Sequence, residues 1–247
     1  MPDKSFERPS VDRALIWARP ERSAKGPAPA RSRNEIAAAA VALADAHGIE
    51  AVSMRKLAAT LTIGAASLYS YVLSKDELHD LMVDWVEGAD APLPPLTGDW
   101  RADLTDLAHR IRRTIHRHPW LTSLAAGRPS FGPNSLASIE HGLAAMDALD
   151  LSIDDKLVTS EALHSFVRGF VTRELAEEQA LQRGGLTAEA WGRAARPYME
   201  SIIEGGLYPR FAHVVRDAQL PHEPDSRALI FSTALNRVLN GLIAGAP

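Results

Sequence analysis

"RKLAATLTIGAASLYSYV", residues 55–72, decides how this chain is read. Leu57, Ala58 and Leu61 recur at the spacing that lines one face of an α-helix, Gly64 interrupts the pattern, and Leu68 with Val72 marks a second face only two turns long. Around that second face sit Ala65, Ala66, Ser67, Ser70 and Tyr71, directed away from the buried side. Two short helices joined by a glycine-containing turn have the outline of a helix-turn-helix, whose second helix enters the major groove of DNA. A helix with that task buries one side on its own domain and shows small or hydrogen-bonding groups on the other, because bulky aliphatics find no partner among base edges. The same outline also fits a small helical subdomain with solvated basic residues, and pattern alone does not separate the two.

The flanks extend the pattern. Ser32 and Glu35 have capping-box spacing, Ile36, Ala40, Leu43 and Ala44 recur with helical period, and Gly48 supplies a stop. Ser53 caps a second helix that runs to Leu61, Gly64 lies in a tight turn, and a third helix is predicted from Ala65 to Val72. Ser74 and Glu77 form a second capping box, opening a fourth helix to about Glu87 with Leu78, Leu81, Met82 and Trp85 on its buried side. Positive groups fall where contacts to a phosphate backbone are expected: Arg31 and Arg33 before the first helix, Arg55 and Lys56 opening the second, Lys75 opening the fourth.

Residues 1–30 carry five scattered prolines and no sustained period, the signature of a flexible arm. "GADAPLPPLTGDW", residues 88–100, breaks the helical pattern and reads as a linker. Helices are predicted again over 100–116, 134–149, 154–182, 187–204 and 226–242, with turns at "GRPSFGPN", "RGG", "EGGLYP" and "LPHEP". No stretch alternates with period two. The fold class is therefore all-α, with an arm over 1–30, a three-helix unit of helix-turn-helix outline over 31–87, expected to be a DNA-binding domain, and a larger helical domain over 99–247.

Composition narrows the function classes. The 247 residues are 46% hydrophobic and 23% charged, ordinary for a globular protein. The absence of cysteine removes disulfides, zinc-thiolate sites and thiol nucleophiles. The longest apolar run, Ile36 to Ala44, falls far short of the roughly 20 residues a membrane span needs. No apolar stretch follows the basic and acidic residues near Met1, so no secretory leader is expected and the cytoplasm is the expected compartment. The net charge of −4 conceals an asymmetry: residues 1–75 hold 11 Lys/Arg against 7 Asp/Glu, while the remainder is acidic. The chain has no G-x-S-x-G elbow, H-E-x-x-H helix or phosphate-binding glycine loop, and the pairs Asp154/Asp155 and Glu177/Glu178 are splayed as helix neighbours, so no enzyme is expected. His116 and His118 share a metal only if a helix ends between them, and neither a metal nor a cofactor is expected.

Residues 33–84 resemble the DNA-binding domain of the tetracycline-repressor (TetR) family along their whole length. The resemblance rests on "A-x-x-L-A-x-x-x-G-I-E-A-V-S-M-R-K-L-A" and "L-Y-S-Y-V-x-S-K-D-E-L". It implies that Arg55, Ala65, Ala66, Ser70 and Tyr71 face bases or flanking phosphates and that Tyr69 and Lys75 bind phosphates; Ser67, from the outward face, and Arg33, from its charge, complete the DNA-facing set. Tyr69 also reads as a core residue with its hydroxyl at the surface. Alanine at 65 and 66 offers few hydrogen bonds, which shifts readout toward methyl contacts, Arg55 and DNA shape.

A looser resemblance to the tetracycline-repressor regulatory domain covers residues 118–152 and 162–178. It implies a homodimer built from two late helices per subunit, here about 154–182 and 226–242, around a pocket for a small-molecule effector. It further implies release from a palindromic operator in double-stranded DNA when that effector binds. The apolar positions Leu157, Leu163, Phe166, Val167 and Phe170 on one helix, and Leu229, Ile230, Leu235, Val238, Leu239 and Leu242 on the other, serve equally as core or as dimer seam. Trp100, His116, Trp120, Leu124, Phe131, His164, Phe166 and Phe170 are the candidate pocket residues, and they too read as plain core. Aligned on "GRP", the family's metal-binding histidine falls at Leu124 and a pocket threonine at Gly127; aligned on Gly169, its acidic pocket residue falls at Arg173. Leucine cannot ligate magnesium, so a tetracycline–magnesium response is not expected.

Overall fold

A computed structural model of the chain describes residues 15–19, 31–124, 130–185, 187–220 and 225–244. Among these residues there are eleven α-helices and no strand. The chain divides into two compact units, one drawn from Met1–Pro94 and Ser123–His141 and the other from Pro95–Thr122 and Gly142–Pro247.

In the first unit α1 (Arg33–His47) opens on a true capping box, with Ser32 accepting from the Glu35 amide and Glu35 accepting from the Ser32 amide. It closes at Gly48, whose φ of 80° lies in the region that favours glycine. After a 3-10 turn at Ile49–Ala51 come α2 (Met54–Thr60), α3 (Ala65–Leu68) and α4 (Lys75–Glu87). Ile36, Ala40, Val41, Leu57, Leu68, Val72, Leu78 and Met82 are buried together as the core. α4 buries Asp84 and Val86 where the sequence pattern pointed to Trp85, which is only half-buried. The reason lies in α7 (Pro133–Ala144). Asp84 Oδ1 accepts from the amides of Asn134 and Ser135, both at 2.9 Å, and Oδ2 accepts from Asn134 Nδ2 at 3.0 Å. Residue 132, which would ordinarily cap α7, is glycine and has no side chain to do so; Asp84 caps the helix from α4 instead.

The arm is not structureless throughout. Residues 16–18 form a 3-10 turn whose Ile16 is buried at 1% exposure. The rest of the arm, the 127–129 part of "GRPSFGPN" and residues 221–224 of "LPHEP" lie outside the described residues.

The second unit contains α5 (Trp100–Arg117), α8 (Ile153–Arg183), α9 (Ala188–Glu204), α10 (Pro209–Asp217) and α11 (Ser226–Ala244), while α6 (Leu121–Leu124) and α7 lie across the division. α8 packs on both α5 and α11. Leu104, Leu107, Ile115, Leu163, Val167, Val171, Phe231, Leu235 and Leu239 form its core. The sequence pattern hides α10 by placing Pro209 in a turn; proline at the first helical position starts a helix, because the N–H it lacks has no partner there anyway. α7 stops at Ala144, five residues short of the predicted end, in a run of turns reaching Leu149.

Candidate nucleic-acid interface

The turn between α2 and α3 is not made by Gly64. The Ile63 amide bonds the Ala58 carbonyl at 3.0 Å and the Thr62 amide bonds Ala59 at 3.1 Å, the paired bonds of a Schellman motif. Its left-handed position is Thr62, at φ 56°. Gly64 is the extended N-cap of α3, at φ −67°. The helix proper is a single turn, continued by turns to Val72 rather than as helix to that residue.

Leu68 and Val72 are fully buried and α3 packs on α2, so the segment's other side is left outward. Ala65, Ala66, Ser67, Tyr69 and Ser70 are all exposed, and so are Arg55 and Lys56 at the start of α2 and Lys75 at the start of α4. Tyr69, at 47% exposure, stands at the surface and does not join the core. Ser70 Oγ donates to the Ser67 carbonyl at 2.6 Å, a bond that holds the turn.

Three residues assigned to DNA from sequence, Arg31, Arg33 and Tyr71, have work inside the unit. The half-buried Tyr71 accepts the Arg31 amide on its hydroxyl at 3.3 Å, while the Arg31 guanidinium donates to the Leu61 carbonyl at 3.2 Å. Arg33 Nη1 donates to the carbonyls of Ile16 and Arg19 at 2.7 and 2.9 Å. Period and charge marked all three as outward, because neither reports a partner brought from a distant part of the chain.

In the second unit the candidate pocket residues separate. His116 meets Glu174 of α8, its Nε2 lying 2.9 Å from Oε2, and Arg112 grips the same carboxylate at 3.1 and 2.8 Å. Glu174 is buried, with its side chain only 3% exposed. Burial works to raise its pKa, but hydrogen bonds and charge from Arg112 and His116 outweigh it and hold the carboxyl below its usual value of 4.5. Arg112 also lies 4.9 Å from the ring centre of Phe231, which is packed by Phe166, Phe170 and His109 at 5.8, 5.2 and 5.2 Å. Burial, then Arg112 and Arg113, lower the pKa of His109 and favour its neutral form.

His164 Nδ1 donates to the Ser160 carbonyl at 2.8 Å. Trp120 is buried beside His118, and Trp100 is half-buried under Arg101. Leu124 is half-buried, and Arg173 lies over Phe170 at 5.2 Å. Gly127 falls outside the described residues. Leu124 and Phe131 do not belong with the others: both sit in the first unit, and Phe131 is 52% exposed. Sequence reasoning missed Phe231, His109, Arg112 and Glu174. A signal existed for Glu174, which continues the stripe Leu163, Val167, Val171 on α8: a carboxylate on a buried face requires a partner.

Residues 36–81 match the family described as bacterial regulatory proteins, tetR family, and residues 91–245 match the tetracyclin repressor-like C-terminal domain. The HTH-type transcriptional repressor DrrR1 of Streptomyces coeruleorubidus is 34% identical over 92% of this chain and 83% of its own length. An HTH-type transcriptional regulator of Saccharopolyspora erythraea is 36% identical over 73% of this chain and 77% of its own. Among solved structures, ActR from Streptomyces coelicolor in complex with actinorhodin superposes with a TM-score of 0.72 and 27% identity, covering 88% of this chain and 97% of that one.

Proposed function

This chain belongs to the tetracycline-repressor family of DNA-binding transcriptional regulators, and from that premise we propose that it is a homodimeric repressor released from a palindromic operator by a small-molecule effector. The observation that carries the reading is the exposed face of residues 65–70, small and polar, set on the fully buried Leu68 and Val72 and flanked by exposed Arg55, Lys56 and Lys75. Alanine methyls, serine hydroxyls and a phenol match what a major groove offers, and the flanking cations match its phosphate walls. In this reading Ala65, Ala66, Ser67, Ser70 and Arg55 face base edges, and Tyr69 and Lys75 hold phosphates.

Dimerisation is supported by apolar groups left uncovered on α8 and α11: Ile153, Leu157 and Val158 on the first, Leu229 on the second, with Leu157 at 64% exposure. A monomer gains nothing by showing such a row to water, whereas a two-fold partner presents the same row to it. An effector with aromatic rings is supported by the cluster of Phe166, Phe170, Phe231 and His109 beside Arg112, and a small-molecule effector by the actinorhodin complex of a structural relative. The effector withdraws the protein from DNA by binding the conformation that misplaces the two recognition segments. No described helix is long and apolar enough to cross a membrane. The proposed place of action is the cytoplasm, where such a regulator reaches its operator.

The test starts from duplexes that the wild-type chain selects out of a random library. Enrichment of an inverted repeat with half-sites about 10 base pairs apart, or a multiple of that, is expected. The Tyr69→Phe, Lys75→Ala double variant then flattens the salt dependence of binding by about one to two units, one for each phosphate that is left without its protein partner. An unchanged slope removes the phosphate roles, and failure to enrich any duplex removes the operator reading.

A further inference from the structure

The described piece of the N-terminal arm is tied to the recognition segment by a chain of polar contacts. The Glu77 Oε2 atom accepts from two donors: Arg19 Nη2 at 2.6 Å and the Leu73 amide at 2.7 Å. Leu73 is the residue at which the chain leaves the DNA-facing turn, two positions before Lys75. In an ordinary capping box the glutamate at this position reaches back to the N-cap amide, which here belongs to Ser74. Ser74 does its half of the work, its hydroxyl accepting from the Glu77 amide at 3.1 Å. The Glu77 carboxylate goes one residue further, to Leu73, where it also meets Arg19.

Arg19 is itself held in place. Ile16 is sunk into the unit at 1% exposure, and the Arg33 guanidinium binds the carbonyls of Ile16 and Arg19, closing the 3-10 turn from the start of α1. The Arg19–Glu77 pair is largely withdrawn from water, with side chains 23% and 15% exposed, so it is less screened than a surface ion pair. The connection therefore runs from α1 through Arg33 to the arm, through Arg19 to Glu77, and through Glu77 to the backbone at the exit of the recognition turn.

We propose that Arg19 is a positioning residue for DNA recognition: through Glu77 it fixes the Leu73 backbone, at the exit of the turn, and hence the placement of the base-facing Ser67 and Ser70, without touching DNA. The segment Leu15–Arg19 is then a working part of the DNA-reading unit. This inference rests on the proposed use of residues 65–75 to read DNA, and it assigns Arg33, whose position alone suggested a phosphate contact, to the geometry of the reader together with Arg19.

The experiment compares the full-length wild-type chain with Arg19→Ala, Arg19→Lys and Ile16→Ala on two fluorescent duplexes, one selected by the wild type from a random library and one a scrambled version of it. Arg19→Ala is expected to weaken binding to the selected duplex about tenfold, the scale of one charge-assisted hydrogen bond. Its binding to the scrambled duplex and the salt slope on both stay as in the wild type. Amide exchange at Leu73 accelerates, Arg19→Lys recovers part of the affinity, and Ile16→Ala reproduces the loss in selectivity. Unchanged affinity and Leu73 exchange in Arg19→Ala overturn the proposal. So does an equal loss on both duplexes with a slope flatter by about one unit, which would make Arg19 a direct phosphate contact. If Ile16→Ala does not fold, Arg19→Ala and Arg19→Lys decide, since both leave the buried Ile16 in place. If the wild type selects no duplex, the DNA reading itself fails, an outcome distinct from a selected duplex that Arg19→Ala binds normally.

Discussion

Replacing Asp84 with alanine is expected to loosen the start of α7 without unfolding the first unit. The magnitude follows from the hydrogen bonds that disappear. Two backbone N–H groups, those of Asn134 and Ser135, each give up an acceptor at 2.9 Å, and Asn134 Nδ2 gives up a third bond at 3.0 Å. Ser135 is buried, so its amide has no water to turn to, and the cost for such a donor is about 1–3 kcal/mol. Asn134 is half-buried and recovers part of its loss by hydration, which leaves about 1 kcal/mol, similar to the removal of an N-cap. The total of about 2–4 kcal/mol corresponds to roughly 30- to 1000-fold faster amide exchange at Asn134 and Ser135. Exchange measured residue by residue checks this, with the amides of α1 as an internal control. Gly132→Ala should have the same effect by another route, since a Cβ there would lie 2.1 Å from Asp84 Oδ1 and push the carboxylate off its donors. Protection in Asp84→Ala within about twofold of the wild type would refute the argument and mean that α7 is held by its apolar side alone.

Thr62 occupies the left-handed position of a Schellman motif, where a β-branched residue is strained; Thr62→Gly should raise stability by about 1 kcal/mol, read as a higher urea midpoint, although it removes a side chain and adds none. Glu174→Gln should cost about 1.5–3 kcal/mol at pH 7 by weakening charge-assisted bonds to Arg112 and His116. Because the Glu174 carboxyl titrates below 4.5 in the folded chain, its contribution is complete above that pH and is lost as pH falls through 4.5 toward the folded value; the gap between wild type and Glu174→Gln should close there and stay open between about pH 6 and 8. Val158→Lys places a charge in the exposed row of α8 and should shift the chain from dimer to monomer in sedimentation, with little change in helix content.

Much of this protein was legible from local pattern. Helix period, serine caps and the absence of alternation gave the all-α class, and Leu68 with Val72 located the inward side of residues 65–72, leaving the other side outward. These features depend on residues within one or two turns of each other, where spacing in the chain translates directly into direction in space. What tertiary structure decided were the partners that lie far apart in sequence: Arg33 on the arm, Arg19 on Glu77, Asp84 capping α7, and Glu174 between Arg112 and His116. It also divided the apolar stripe of α8 into buried Leu163 and Val167 and exposed Leu157 and Val158, although all four look alike in the sequence. Hydrophobic period says that a side chain would rather be covered; only the packed chain says which ones its own atoms have already covered.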